Sequence, residues 1–362
     1  MNKNIIRNTE NPLLKPSDVV PSSKEFQVIG IFNCGVVRCL DETILLCRIA
    51  ETVIHPEDEN KVSIPVVVNK DGRDYFETVS LDKTKETAWD FSDSRQIILK
   101  GNALKIIYLT SLSHFRIARS KDGVHFELDQ KPTIMPNNKE EQWGIEDPRI
   151  TPLGDRFYIT YTAVSPNGAA VSLIETKDFT SFQRHGIIFL PENKDTAIFP
   201  GKINGTYYCM NRPVPAVIGS PDIWLSRSVD LIHWGRHTHL CGVSSTGWEN
   251  GRIGGGAVPI LTDKGWLVIY HAADKGNRYC LGVMLLAADA PEIILAKSKK
   301  PLVEPLADYE VNGFFGNVVF TCGCLLDGST VIIYYGAADD SICRIDIELE
   351  VIYEHLEILF HE

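Results

Sequence analysis

Three observations predict an all-β fold. Apolar runs of four to seven residues, rich in Val, Ile, Tyr and Phe, are punctuated by Gly, Asp and Asn, the pattern of short strands joined by hairpins. Stretches with helical period are scarce. A turn glycine followed by an apolar run ending near Tyr or Thr recurs at Gly101, Gly154, Gly205, Gly265 and Gly328. A repeat of roughly 50 to 60 residues with about four strands in each is the sign of a β-propeller blade. Five such units predict one five-bladed β-propeller domain over residues 1–362, with short helical extensions at its two ends. The length alone suggests about two domains. Two β-sandwiches would need a linker, and no Pro/Ser/Gly-rich or charge-biased stretch supplies one.

Taken along the chain, the first fifteen residues and the last dozen (EVIYEHLEILFHE) are where short helix is expected. The units between them open with GNALKIIYLTS, GDRFYITYTAV, GTYYCMNRP, GWLVIYHAA and GSTVIIYYGAA. Three units continue into Ser/Thr-x-Asp-x-x-x-Phe/Trp: Ser120-Asp122-Phe126, Thr176-Asp178-Phe182 and Ser228-Asp230-Trp234. In a propeller the innermost strands and their loops surround a central depression, so polar residues far apart in sequence converge there.

The 36 Lys+Arg against 47 Asp+Glu give a net charge of −11, which argues against a nucleic-acid or anionic-membrane partner. No run reaches the roughly 18 apolar residues of a spanning helix. The start, MNKNIIRNTENPLL, lacks the apolar core of a signal peptide. Nine cysteines, an odd number without a C-x-x-C pair, read as buried small hydrophobes in a reducing cytosol. A soluble cytoplasmic protein is the expectation. The terminal segments are the expected place for pairing into a homo-oligomer.

The most unusual segment is Trp143-Gly144-Ile145-Glu146-Asp147-Pro148-Arg149-Ile150. A residue before Pro is extended, and alternate side chains of an extended segment face opposite ways. Glu146 and Asp147 are therefore expected to diverge, one toward the cavity and one into supporting structure, unless the segment is only a turn whose Arg149 pairs with a carboxylate. A second group is cationic: Lys194, Arg212 and His271 fall at comparable places in successive units, with Arg48, Arg95 and Arg116 at earlier strand ends. Gathered in one cavity, they require a bound anion or offsetting carboxylates. Separately, each reads as an ordinary ion pair or core histidine. Polar-tipped aromatics (Tyr207, Trp248, Trp266, Tyr270, Tyr279, Tyr334, Tyr335) suit either sugar stacking or blade core. Gly251-Arg252-Ile253-Gly254-Gly255-Gly256 lacks the Lys-Ser/Thr of a P-loop and follows no βαβ pattern, so it reads as a close backbone approach or a tight turn. No metal-ligand spacing or G-x-S-x-G occurs, and neither a metal nor an organic cofactor is expected.

Gly144-Ile145-Glu146-Asp147-Pro148-Arg149, Asn193-Lys194-Asp195, Phe199-Pro200, Lys202-Ile203, Arg212-Pro213, Ile253-Gly254-Gly255-Gly256, Gly265-Trp266-Leu267, Tyr270-His271 and Tyr335-Gly336-Ala337-Ala338-Asp339 together resemble glycoside hydrolase family 130. That family comprises β-mannoside phosphorylases and some β-mannosidases, and the likeness runs from about residue 10 to the C-terminus. It is nearest to the 1,2-β-oligomannan phosphorylases across SHFRIARSKDGVHFE and NRYCLG…YEVNGFFGNVVFTCG.

The resemblance implies a five-bladed propeller and inverting attack of inorganic phosphate, as co-substrate, on a non-reducing-end mannosyl unit of a mannooligosaccharide, releasing α-mannose 1-phosphate. It implies Asp147 as general acid, delivering its proton through the mannose 3-hydroxyl, and Lys194, Arg212 and His271 as the phosphate site. It further implies Asn33, Arg48, Asp93, Arg116, Glu146, Arg149, Asp195, Tyr270 and Asp339 as substrate-binding residues. A phosphorylase needs one acid and a cationic cradle, whereas an inverting hydrolase needs a second carboxylate about 6.5–9.5 Å away to activate water. The family's hydrolases lack the basic set that this chain keeps. Three positions depart from near relatives: Asn211 for His, Gly201 for Glu and Ala272 for Gly. Asn211 and Gly201 are expected to bear on the acceptor subsite or on the choice between water and phosphate. An exo-β-mannosidase with Glu146 or Glu249 as base, and a non-catalytic carbohydrate-binding propeller, are the competing expectations.

Overall fold

In the computed structural model, described for residues 5–54, 58–70, 73–93 and 95–359, the chain is almost entirely β-structure. Five antiparallel sheets follow one another along the sequence. The first pairs Phe26–Cys39, Glu42–Val53, Leu112–Ser120 and Glu127–Leu128 in that spatial order. The second runs through Ile145–Leu153, Arg156–Ser165, Gly168–Thr176 and Gln183–Phe189. The third runs through Asn193–Ile203, Thr206–Pro213, Ile223–Ser228 and Trp234–Cys241. The fourth begins at Arg252–Gly255 and continues through Gly265–Ala273, Tyr279–Leu286 and Ile294–Ser298. The fifth is Val319–Asp327, Thr330–Ala337 and Ser341–Glu348.

Within each sheet the leading strand lies at one edge, and leading strands of neighbouring sheets touch: Phe26–Cys39 packs on both Ile145–Leu153 and Val319–Asp327, and Asn193–Ile203 on both Ile145–Leu153 and Arg252–Gly255. Apolar side chains fill the spaces between sheets. Leu267, Val283, Val331 and Ile333 pack the fourth against the fifth, and Leu46, Ile117, Ile150 and Ile159 the first against the second.

The glycine repeat has a physical origin. Gly154, Gly205, Gly265 and Gly328 all carry positive φ; Gly154, Gly205 and Gly328 sit in the hairpin between the first two strands of their sheets, and Gly265 ends the hairpin from the short strand Ile260–Thr262. Gly101 also has positive φ but stands outside this series. It turns a hairpin within a small three-stranded sheet (Trp89–Asp90, Gln96–Leu99, Asn102–Leu109) that, with the hairpin Lys61–Lys70/Arg73–Asp82, is inserted between the second and third strands of the first sheet. The corresponding turn of that sheet is at Leu40, also at positive φ. The unit expected to begin at Gly101 is therefore an insertion, and the first sheet is assembled from chain on both sides of it.

The Ser/Thr-x-Asp motifs are turn devices. In the first, Ser120 Oγ accepts from Gly123 N and Asp122 Oδ1 accepts from Val124 N and His125 N; the Asp178 and Asp230 turns repeat the scheme. The terminal helix expectation holds at the C-terminal end, while near the start the helix is reduced to a single 3-10 turn, Pro16–Asp18. Leu349–Glu354 is helical and is followed by Leu356–Ile358, which pairs with Ala296–Ser298. Near the start, Ile5–Arg7 is a strand that completes the fifth sheet against Ile345–Ile347, because that edge is open and Glu310 receives Arg7 through two hydrogen bonds of 2.7 and 2.9 Å. Residues 1–4 and 360–362 lie outside the described residues. The nine cysteines are free thiols, seven of them buried, and among the described residues no helix is long and apolar enough to cross a membrane.

Candidate active site

Three leading strands share a local distortion. A bulge interrupts the ladder between Phe32 and Gly35, between Glu146 and Arg149, and between Lys194 and Ala197. At each bulge an Asx residue has positive φ: Asn33 at 48°, Asp147 at 53° and Asp195 at 53°. Asn and Asp tolerate this left-handed conformation best among non-glycine residues, and a bulge re-aims its side chain. Asp339, at φ 49° in the turn after Thr330–Ala337, makes a fourth.

These four residues meet in a cavity of about 190 Å³, also lined by Arg48, Glu146, Lys194 and Arg212. Asn33 Nδ2 donates to Asp147 Oδ1 at 3.0 Å. The Arg48 guanidinium donates to Asp147 Oδ1 at 2.9 Å and to Glu146 Oε1 at 2.8 Å, with its Nε on Ser113 Oγ and its plane over the Phe32 ring. Glu146 and Asp147 thus face the same cavity. The divergence expected from strand alternation fails because the left-handed Asp147 and the bulge break the period of two.

The cations are largely offset. Lys194 Nζ lies 3.4 Å from Glu146 Oε2, and Arg212 Nε donates to Asp195 Oδ2 at 2.5 Å. Asp195 also receives Arg149 Nη2 at 3.3 Å. Burial opposes the charged form of Asp195, but Arg212, then His271 and Arg149, hold its carboxyl well below the usual range. Asp147 is lowered too: burial is outweighed by Arg48, Arg149, the Asn33 amide and Lys194. Burial also works against the charge on Lys194, which Glu146 and Asp147 nevertheless raise above its ordinary pKa. Asp339 goes the other way. Burial, reinforced by Asp147 and Glu146 and only partly countered by Arg48 and Arg95, pushes it up to about 7.

Arg149 and His271 stand behind this wall. Arg149 is wholly buried and donates to the carbonyls of Asp147, Gly255 and Gly256 at 3.0, 2.9 and 2.8 Å. The glycine run is therefore a close backbone approach, the cradle of this guanidinium. His271, also fully buried, has Nε2 3.1 Å from Asp195 Oδ2, at ion-pair distance but without hydrogen-bond alignment, and packs on Phe320 with centroids 4.2 Å apart. Burial lowers its pKa, with Asp195 acting in the opposite direction. A side chain at Gly254 would collide with both Asp195 and His271.

Besides Arg149 and His271, three more expected site residues do not line this cavity. Arg116 is buried against the Gln130 carbonyl at 2.9 Å, with Glu51 at 3.7 Å. Tyr270 stacks on Trp248 and donates to Glu249 Oε2 at 3.1 Å within the core between the third and fourth sheets. Asp93 lines a different cavity, with Gln27 and Phe314, and clasps Arg95. Glu249 is committed to Lys297, Ser244 and Tyr270, which removes it as a catalytic base. Asn211 bonds Ser226 Oγ at 2.7 Å and accepts from Asn193, behind Arg212; neither it nor Gly201 lines the cavity, so the expected influence of these substitutions is not exerted by contact there. On the remaining wall Arg95 and Tyr279 are singled out from sequence and Arg252 only as part of a glycine-rich turn, whereas Asn277, Phe315, Val318 and Phe320 are not assigned a site role. This wall consists of Arg252, bonded to Tyr279 and Asn277, with Phe315, Val318 and Phe320, and Arg95 from the insertion. A single Phe or Asn in a connecting loop carries no periodic signal that would have marked it.

Carboxylates and cations thus converge from successive sheets of an all-β fold beside aromatic side chains, an arrangement that suits the binding and chemistry of carbohydrates. Residues 106–357 match glycoside hydrolase family 130, described as beta-1,4-mannooligosaccharide phosphorylase, and the chain belongs to that family. It is 46% identical over 355 residues to a beta-1,2-mannobiose phosphorylase of Listeria innocua, covering 98% of this chain and 99% of that protein. The structure of the Listeria innocua enzyme in complex with beta-1,2-mannobiose superposes with a TM-score of 0.94 at the same identity and coverage. A 1,2-beta-oligomannan phosphorylase of a Thermoanaerobacter species is 37% identical over 234 residues, 64% of this chain and 77% of that one.

Proposed function

We propose that this chain is an inverting β-mannoside phosphorylase that removes the non-reducing-end mannose of β-1,2-mannooligosaccharides with inorganic phosphate, giving α-mannose 1-phosphate. The five sheets are read as the blades of a single five-bladed propeller domain, working in the cytoplasm with phosphate as co-substrate and without an organic cofactor.

The observation that carries this reading is the placing of Asp147 between Asn33 and Arg48 in one cavity with Lys194 and Arg212. Asp147 is the acid, acting through the sugar's 3-hydroxyl. Lys194 and Arg212 hold the phosphate so that one oxygen attacks the anomeric carbon opposite the leaving oxygen. The C1–O bond to the next sugar breaks as the C1–O bond to phosphate forms, and the proton follows the departing oxygen. An acid must be protonated to act, while Arg48, Arg149 and Lys194 keep Asp147 ionised in the free protein. A bound phosphate draws Lys194 to itself and adds negative charge, so phosphate binding raises the Asp147 pKa and loads the proton. His271 acts on the phosphate site through Asp195 and Arg212 rather than by facing it.

Hydrolysis is the weaker reading. Glu146 and Asp147 sit side by side on adjacent nitrogens of one guanidinium, not on opposite faces of a sugar with a water between, as inversion by water requires. The test is formation of mannose 1-phosphate from β-1,2-mannobiose with and without phosphate. Free mannose as the only new product, at equal rates in both, refutes phosphorolysis. Sugar binding without turnover in either buffer, and surviving Asp147→Asn, identifies a binding module instead.

A further inference from the structure

The cavity divides by chemistry. Arg48, Glu146 and Asp147 come from the first two sheets, Lys194, Asp195 and Arg212 from the third, and Asp339 from a turn of the fifth. The remaining wall carries an aromatic cluster, in which Tyr279 and Phe315 pack on Val318 and Phe320, beside Arg252 and Asn277. Over Phe315 lies Arg95, its guanidinium carbon 4.4 Å from the ring centroid. Arg95 belongs to the inserted region rather than to the five sheets. Its orientation is fixed from behind, because Asp93 accepts from Nε at 3.1 Å, from Nη2 at 3.0 Å and from the Arg95 backbone N at 2.9 Å.

The geometry points to the Arg95–Phe315 pair as the platform for the leaving sugar, the unit beyond the cleaved bond, with Asp93 as the residue that positions Arg95. The proposal rests on the phosphorylase reading. Three features support it. With the donor sugar at Asp147 and phosphate at Lys194 and Arg212, the aromatic wall is the part of the cavity left for the leaving sugar. An aromatic face suits the C–H surface of a pyranose, and a stacked guanidinium keeps its edge N–H groups for hydroxyls. Asp93 also neutralises Arg95, so this pair offers donors without net charge, which suits a neutral polyol better than a second anion. Because both Arg95 and Asp93 lie in the insertion, acceptor choice is set by a segment separate from the catalytic sheets.

The test runs the enzyme in synthesis, with α-mannose 1-phosphate as donor and mannose as acceptor. Removing a charged donor and its stacking partner is expected to weaken acceptor binding about ten-fold. Arg95→Ala and Phe315→Ala should therefore raise the acceptor KM about ten-fold, with the KM for mannose 1-phosphate within about two-fold of the wild type. Asp93→Asn should shift the acceptor KM in the same direction by less, and Arg95→Lys should recover only part of the loss. Equal rises in both KM values, or no change in the acceptor KM, overturn the proposal while the phosphorylase reading stands. Wild-type protein that forms no mannose 1-phosphate from β-1,2-mannobiose and phosphate overturns both. Melting curves of the four variants show whether any loss is one of folding.

Discussion

Replacing Asp339 by Asn tests the electrostatics of the cavity without reference to turnover. The wild-type carboxyl is raised from its ordinary 3.8 to about 7, chiefly by burial and next to Asp147 and Glu146. A group raised in the folded state costs nothing while both states are protonated. As pH climbs from about 4 to 7 the unfolded chain ionises and the folded one does not, so stability is lost across that window and then stays level. The difference between 3.8 and about 7 corresponds to about 4 kcal/mol. Asn keeps the left-handed turn and the side-chain shape but cannot ionise. Asp339→Asn should therefore match the wild type near pH 4 and exceed it above pH 7 by up to about 4 kcal/mol, about 5 °C in Tm for a chain of this size. Paired thermal melts from pH 4 to 8 measure the difference, in which titrating groups remote from Asp339 cancel. A Tm gap that does not change with pH, or a variant less stable at pH 8, refutes the reasoning. If Asp339 binds a sugar hydroxyl, the same variant gains stability and loses substrate affinity, the exchange expected where a site holds a group against its preferred state.

Asp147→Asn should leave the melting temperature at pH 7 within a few degrees while lowering kcat by about 10²-fold or more; preserved turnover would move the acid elsewhere in the cavity. Lys194→Ala and Arg212→Ala should both raise the KM for phosphate far more than that for the mannoside, but they should separate in stability. Lys194 is 31% exposed and its nearest carboxylate oxygen is 3.4 Å away, so its loss should cost little. Arg212 is the 2.5 Å partner of a carboxylate only 2% exposed, and its removal should cost about 3 kcal/mol by leaving Asp195 under-compensated, readable as a lower urea midpoint. Gly254→Ala should force Asp195 and His271 apart, costing about 1–3 kcal/mol of stability, read as a lower urea midpoint, and weakening phosphate binding; an unchanged midpoint would show that the space can be found elsewhere.

How far the sequence carried depended on whether a signal was local. Strand runs, positive-φ glycines at Gly154, Gly205, Gly265 and Gly328, and the Asp122, Asp178 and Asp230 turns each need only a few neighbouring residues to be read, and each is found in the structure. Gly101 shows the limit. Its segment has the same local grammar, but whether a hairpin belongs to a main sheet or to an insertion is decided by pairing with Glu42–Val53, more than fifty residues earlier in the chain. Arg116 and Tyr270 fail for a related reason. Each sits in a strand near site residues, yet the Gln130 carbonyl and the Glu249 carboxylate that claim them come from other segments. The alternation rule itself was sound; it was applied across a bulge at Asp147 where it does not hold.

That bulge was legible in principle. Asn33, Asp147 and Asp195 occupy the same place in three successive leading strands, and Asp339 repeats their conformation in a turn. An Asx residue recurring where a leading strand should be uninterrupted is the mark of a left-handed kink, since these residues otherwise weaken strands. The kink gives the site its charge pattern. Each one turns a carboxylate or amide inward beside an arginine or lysine from its own or a neighbouring strand, as in Asp147 with Arg48 and Asp195 with Arg212. A protein of net charge −11 can therefore hold several cations in one cavity, because the distortion that delivers the acid also delivers the counter-charge. An incoming phosphate does not meet an empty basic pocket. On the proposed reading it competes with Glu146 for Lys194 and with Asp195 for Arg212, and its negative charge favours the proton on neighbouring Asp147, which keeps its own partners Arg48 and Asn33.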